Sequence, residues 1–285
     1  MSANSYWYLG LAILSAALLL YIFIKKREVR SVLLFIAMIG FGYIIETIIY
    51  TFLGSYQYYP KFIEDNAYFD SNLGAIASNA LALPTIAVFL STFRLGWIWI
   101  LVFTGIFVGI EWLFRELHIY ADNWWRLGYT AIGLLVYFPF AKWLYHSMFR
   151  PLSGFVLGLL LFLIALAISD TLNIVPIMAF SNRVYEPGWF QNPSRDTTAF
   201  GTVYCIAVSL FITFVVTRYW KHAVSKYLFA LLCIMCVEMA LKAAGIQRSL
   251  VWWDEWYFLL INFGLLAITQ AICNYLMKGP PIWKM

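Results

Sequence analysis

The sequence predicts an all-α, polytopic helical membrane protein of about nine transmembrane helices: one helix plus two parallel four-helix repeats. Three observations carry that prediction. Of 285 residues, 63% are hydrophobic and 12% charged, against about 25% charged in soluble domains, and the mean hydropathy is +0.79. The apolar residues fall into runs of about 20, the length of a membrane-crossing helix. The few acids inside or beside those runs recur at matched spacings in the two halves of the chain.

The runs read, in order, 6–24, 31–54, 73–93, 96–116, 124–145, 152–175, 199–217, 226–246 and 254–276. The first begins within MSANSYWYLG, which lacks the basic stretch of a cleaved signal peptide, so it is expected to remain as a helix. Residues 1–30 hold this helix and a basic loop, 31–150 are expected to form repeat A, and 151–285 repeat B with a short tail. The longest connections, 55–72 and 176–198, are rich in Tyr, Pro and Asn and too short to fold alone. Twelve of the 19 bases (Lys25, Lys26, Arg27, Arg30, Arg94, Lys142, Arg150, Arg218, Lys221, Lys226, Lys278 and Lys284) fall on one side, with only Glu28 of the 14 acids. The positive-inside rule makes that side cytoplasmic. The expectation is therefore a bacterial cell-membrane protein with its N-terminus outside and its C-terminus inside. The net charge of +5 needs no nucleic acid; lipid headgroups account for it. Cys205, Cys233, Cys236 and Cys273 lie within apolar runs and read as small buried residues, without a zinc or disulfide framework.

The repeat rests on residues 111–129, EWLFRELHIYADNWWRLGY, against 238–257, EMALKAAGIQRSLVWWDEWY. Glu111 and Arg115 match Glu238 and Lys242; Trp124-Trp125 match Trp252-Trp253; Tyr129 matches Tyr257. Upstream, Asp70 precedes Glu111 by 41 residues and Asp196 precedes Glu238 by 42. Glu46 precedes Asp70 by 24 and Asp170 precedes Asp196 by 26. Four helices per copy is an even number, so both copies are expected to share one orientation. The first copy resembles an uncharacterised family of small four-helix integral membrane proteins from Firmicutes. The residues that carry the resemblance are Glu46, Tyr59-Pro60, Asp70, Pro84, Glu111, Tyr120, Trp124-Trp125 and Tyr129-Thr130. Residues 152–276 follow the pattern less closely, with Glu186-Pro187 for Tyr-Pro. The resemblance implies a four-helix fold, here duplicated in tandem, and no activity.

An acid at a helix centre costs about 2.5–3.5 kcal/mol on insertion scales and usually faces the bundle interior. Glu46 lies about 12 Å of helical rise from the end of its run; Asp170, Glu111 and Glu238 fall similarly in the outer third. Glu111 with Arg115, and Glu238 with Lys242, have the favourable acid-first order for ion pairs one turn apart. Glu46 and Asp170 have no such base and need partners from other helices. Asp70 and Asp196 stand just before apolar runs and read as helix N-caps. The tryptophans favour anchoring at the interface, with an aromatic ligand box at Trp125 and Trp253 as the minority reading. His118 with Glu111 and Asp122 is too sparse for a metal site. No cofactor is expected.

Three functions fit. The first is a binding or transport protein whose ligand-binding residues Glu46, Glu111, Asp170, Glu238, Arg115, Lys242, Trp125 and Trp253 line an outward-facing cavity between the repeats. Its ligand would be a cation, a proton, or a cationic or lipid headgroup. The second is a structural or assembly protein whose acids fix helix packing. The third is a membrane-embedded acid–base enzyme acting on a lipid or isoprenoid. With no Walker loop, nucleophile elbow or HExxH, the sequence leans away from an enzyme and assigns no catalytic residue. Membrane lipids are the expected partners, and the oligomeric state is left open.

Overall fold

Lipid offers the backbone no hydrogen-bond partners, so each spanning segment must satisfy its own. The computed structural model describes residues 2–278, and among them nine helices are long and apolar enough to cross a membrane. The chain is a multi-pass, all-α membrane protein. Lys284 and the end of the expected tail lie outside the described residues. The chain forms two compact units, Met1–Phe149 and Arg150–Met285.

The first unit holds α1 (Ala3–Lys26), α2 (Val29–Phe52), α3 (Ala67–Thr92), α4 (Trp97–Glu116) and α5 (Leu127–Ser147). Two stretches are wound wider than an α-helix: Thr47–Phe52 at the end of α2 and Ile76–Ala82 within α3 are π-helical. Pro84 follows the second, and it has no N–H to offer the preceding turn. Such segments are rare and often mark functional sites. Gly42 lets α2 approach α3 closely: a Cβ there would stand 3.0 Å from the carbonyl oxygen of Asn79.

A short antiparallel ladder joins the two connections at one end of the unit. β1 (Tyr56–Tyr58) pairs with β2 (Tyr120–Asp122), Tyr56 opposite Asp122 and Tyr58 opposite Tyr120. Tyr8 of α1 docks on it, its hydroxyl donating to the Ile119 carbonyl at 2.6 Å. Gly74 makes room for this: a Cβ there would meet the Tyr58 Cβ at 2.5 Å and the Tyr8 ring at 3.2 Å. The helix cap of α3 is Asn66, whose side chain accepts from Phe69 N–H at 3.0 Å, so Asp70 is not the N-cap. Its buried carboxylate accepts instead from the backbone N–H groups of Lys61, Phe62 and Ile63 at 2.7–2.9 Å. The acid anchors the loop before the helix because three converging N–H groups there had no other acceptor.

The second unit holds α6 (Gly154–Phe180), α7 (Pro193–Thr217), α8 (Ala223–Ala243) and α9 (Asp254–Lys278). The sixth span runs on through Pro176 to Phe180, five residues beyond its apolar run, and stops at Ser181 in the left-handed conformation. β3 (Arg183–Tyr185) pairs with β4 (Gln247–Ser249), Arg183 opposite Ser249 and Tyr185 opposite Gln247. Asn192 caps α7. Asp196 accepts from Gly188, Trp189 and Phe190 N–H at 2.8–2.9 Å, the pattern of Asp70, and it too is not the N-cap.

Candidate cation site in the first unit

Glu46 is the last α-helical residue of α2, where the π turn begins. Its side chain reaches α3 and the hairpin. One oxygen, Oε1, accepts from Asn79 Nδ2 at 2.5 Å and from the Tyr56 hydroxyl. The other, Oε2, is buried with no hydrogen-bond partner. Glu111 approaches from α4. Its Oε2 accepts from the Thr130 hydroxyl of α5 at 2.5 Å, and its Oε1 is likewise buried without a partner. Thr130 in turn accepts from the Trp125 indole N–H at 2.7 Å.

Both carboxylates line one cavity of about 170 Å³, bounded by all five helices of the unit and its hairpin. Its walls are mostly aromatic and aliphatic, with Tyr56, Tyr58, Phe107, Phe114, Tyr120, Trp125, Tyr129 and Tyr137 among them. Glu46 and Glu111 are the only charged residues lining it, and no base does. Burial pushes the Tyr56 and Tyr58 hydroxyls well above their ordinary pKa, and the charge of Glu46 adds to it. Tyr120 is raised as well, by burial and then by Tyr58, Glu111 and Glu46. These phenols stay protonated, and Tyr56 donates to Glu46.

No family model, curated protein or solved structure matches this chain. The site is therefore read from its own chemistry.

Of the sequence-predicted residues, the structure brings Glu46, Glu111 and Trp125 together. It does not form the expected ion pairs one turn apart. Arg115 Nε meets Asp122 at 3.2 Å, and Lys242 pairs with Glu255. Long basic side chains near a helix end extend towards the interface, where those acids stand, and not back to Glu111 and Glu238.

In the second unit Glu238 and Asp254 are already occupied. Glu238 Oε1 accepts from Arg183 Nη1 at 3.0 Å and from the Tyr204 hydroxyl at 2.7 Å. Arg183 Nε also donates to Asp254 at 2.9 Å. The Arg183 side chain is fully buried and its guanidinium lies 3.4 Å from the Phe258 ring centroid. Burial pulls the Arg183 pKa down, but Tyr185, Glu238 and Asp254 outweigh it and the net shift is upward. Glu238 and Lys242 border a separate cavity of about 190 Å³ between α8 and α9. Asp170 is buried, with Oδ1 unpartnered. Counted back ten residues from the first ladder position, Tyr56 leads to Glu46 and Arg183 leads to Asn173. Asn173 Nδ2 bonds Cys205 across to α7 at 3.1 Å, as Glu46 meets Asn79. Trp253 packs edge-on against Phe180 and Tyr257 and lines neither cavity.

Sequence reasoning missed Tyr56, Asn79, Thr130, Arg183, Asp254 and Tyr204. The run SYQYYP, three tyrosines in a short connection, is the one signal that could have found the first of them.

Proposed function

We propose that the protein binds, and as a whole protein transports or senses, a small cationic ligand through the first unit's cavity. The observation that carries this is that two carboxylates share one cavity with no base among its lining residues, and each keeps a buried oxygen without a partner. Buried acids in that position must hold protons or attract a cation. An aromatic wall adds favourable cation–π contact. The cavity is lined by the end of the helices that carries the β1–β2 hairpin, whereas Lys25, Lys26, Arg27, Arg30 and Arg94 lie at the other end. With those bases cytoplasmic, the cavity opens to the outside of a bacterial cell membrane, with the N-terminus on that side.

The test is a thermal-shift screen of organic ammonium ions, their uncharged alcohol counterparts and inorganic cations, on wild type and the Glu46→Gln, Glu111→Gln double variant. Ammonium ligands stabilise wild type and leave the double variant unmoved. A ligand that stabilises both equally is not held by these acids, and a screen without a wild-type response removes the proposal.

A structural role fits the second unit better. Arg183 supplies there the countercharge that the first unit lacks. The recurrence of the hairpin, the loop-anchoring Asp and the helical Glu supports a tandem duplication in which one copy kept a site and the other became a scaffold.

A further inference from the structure

The inference rests on the reading above and concerns which cation fits. Three observations narrow it. The first is charge: two carboxylates face one cavity without a base, so with both ionised one monovalent ion leaves one acid uncompensated. The second is hydrogen bonding. The free acceptors are Glu46 Oε2 and Glu111 Oε1, on different helices, and each asks for an N–H or O–H donor, not merely for positive charge. Tyr120, 6% exposed, also lines the cavity. A quaternary ammonium has no donor to offer these atoms; a primary ammonium has three, as a lysine does. The third is size and wall chemistry. An apolar cavity of about 150 Å³ holds benzene, so about 170 Å³ encloses a ligand of about six or seven heavy atoms. Aromatic walls suit methylene groups. They do not suit a bare divalent metal, which calls for six or more oxygen ligands or retained waters.

We propose that the ligand is a short aliphatic α,ω-diamine, a dication of about four or five methylenes, with one ammonium at Glu46 and the other at Glu111. The carboxylates hold its ends, Tyr58 and Tyr120 flank them, and the chain between lies along Phe107, Phe114 and Trp125. That both acids act on the same space is supported by Tyr58 and Tyr120, each of which stands in the field of both.

Isothermal titration of the full chain in lipid nanodiscs with a ladder of ligands tests it. The probes are diaminopropane to diaminooctane, butylamine, tetramethylammonium and calcium chloride. Affinity peaks at diaminobutane or diaminopentane, and butylamine binds on the order of tenfold to hundredfold more weakly, the loss of one charged hydrogen-bonded end. Glu46→Gln and Glu111→Gln, tested singly, each bring the diamine down to the affinity of the monoamine. If butylamine or tetramethylammonium binds as tightly as any diamine, the two-ended site is wrong while the cationic site survives. If calcium binds and no diamine does, the ligand class is wrong. If no cation binds wild type at all, both readings fall. The wild-type ladder decides the matter even where a variant does not fold.

Discussion

The two units share a frame and differ in who supplies the positive charge. Each has a three-residue ladder between its connections. Each has an Asp gathering three loop N–H groups, a Tyr whose N–H meets a hydroxyl of the next helix, and a Glu on the helix before the second strand. At the first ladder position the first unit has Tyr56 and the second has Arg183. Opposite the helical Glu, one has Thr130 and the other Phe258, under the arginine. Gly74 makes room for Tyr8 from α1, whereas the corresponding Phe200 packs its own ring on Tyr185 at 5.3 Å. On the proposed reading, Glu238 is structural because Arg183 supplies its countercharge, and Glu46 and Glu111 bind a ligand because no base lines their cavity.

Breaking that contrast at Arg183 gives the largest expected effect. Arg183→Met leaves Glu238 and Asp254 without a countercharge, and removing one partner of such a cluster costs about 3–5 kcal/mol. Thermal unfolding checks it, and adding Glu238→Gln and Asp254→Asn to the variant restores most of the loss. A triple variant as unstable as the single one would show that the arginine packs and does not neutralise. The converse substitution, Tyr56→Arg, installs the built-in base beside Glu46 and abolishes ammonium binding while the unit stays folded.

The loop anchors should behave alike in both units. Asp70→Ala and Asp196→Ala each strand three backbone N–H groups, a loss of about 1–3 kcal/mol, read as a lower melting temperature and faster hydrogen exchange at residues 61–63 or 188–190. Asn substitution recovers part of it. Ligand affinity falls only in Asp70→Ala, because only that loop continues into a hairpin whose tyrosines line a ligand cavity.

The spans were legible because lipid imposes a blunt rule: an unbroken apolar run, within a few residues at most ends. The acids were legible for the same reason, since charge is rare in such runs. What could not be read was partnership. Three-residue strands carry no periodicity, so nothing in SNRVYEP marks Arg183 as a buried residue that reaches Glu238 on another helix. The i,i+4 rule describes neighbours on an isolated helix, and it misled at Arg115 and Lys242, because acids in the following turns, Asp122 and Glu255, lie closer to the interface. The shared spacing of the acids set Glu46 against Asp170. Counting back from the first ladder residue sets it against Asn173, and the two counts differ by three residues.

The smallest expected effect is the sharpest form of the comparison: the same conservative substitution at corresponding positions. Glu238→Gln removes the charged acceptor of Arg183 Nη1 and Tyr204 and leaves a buried guanidinium short of a partner, at a cost of about 1.5–3 kcal/mol. Glu111→Gln removes a charge that no base in its cavity offsets. Its amide oxygen can still accept from Thr130, and its NH₂ points into a cavity wide enough for water. A neutral group there is no longer penalised for desolvation, so without ligand the stability changes by less than about 1 kcal/mol, in the stabilising direction. Chemical or thermal denaturation of the two variants side by side checks this. Equal destabilisation by both would mean that the first unit's acid is held by a partner as firmly as the second's, and that the asymmetry between the units is one of sequence and not of energy.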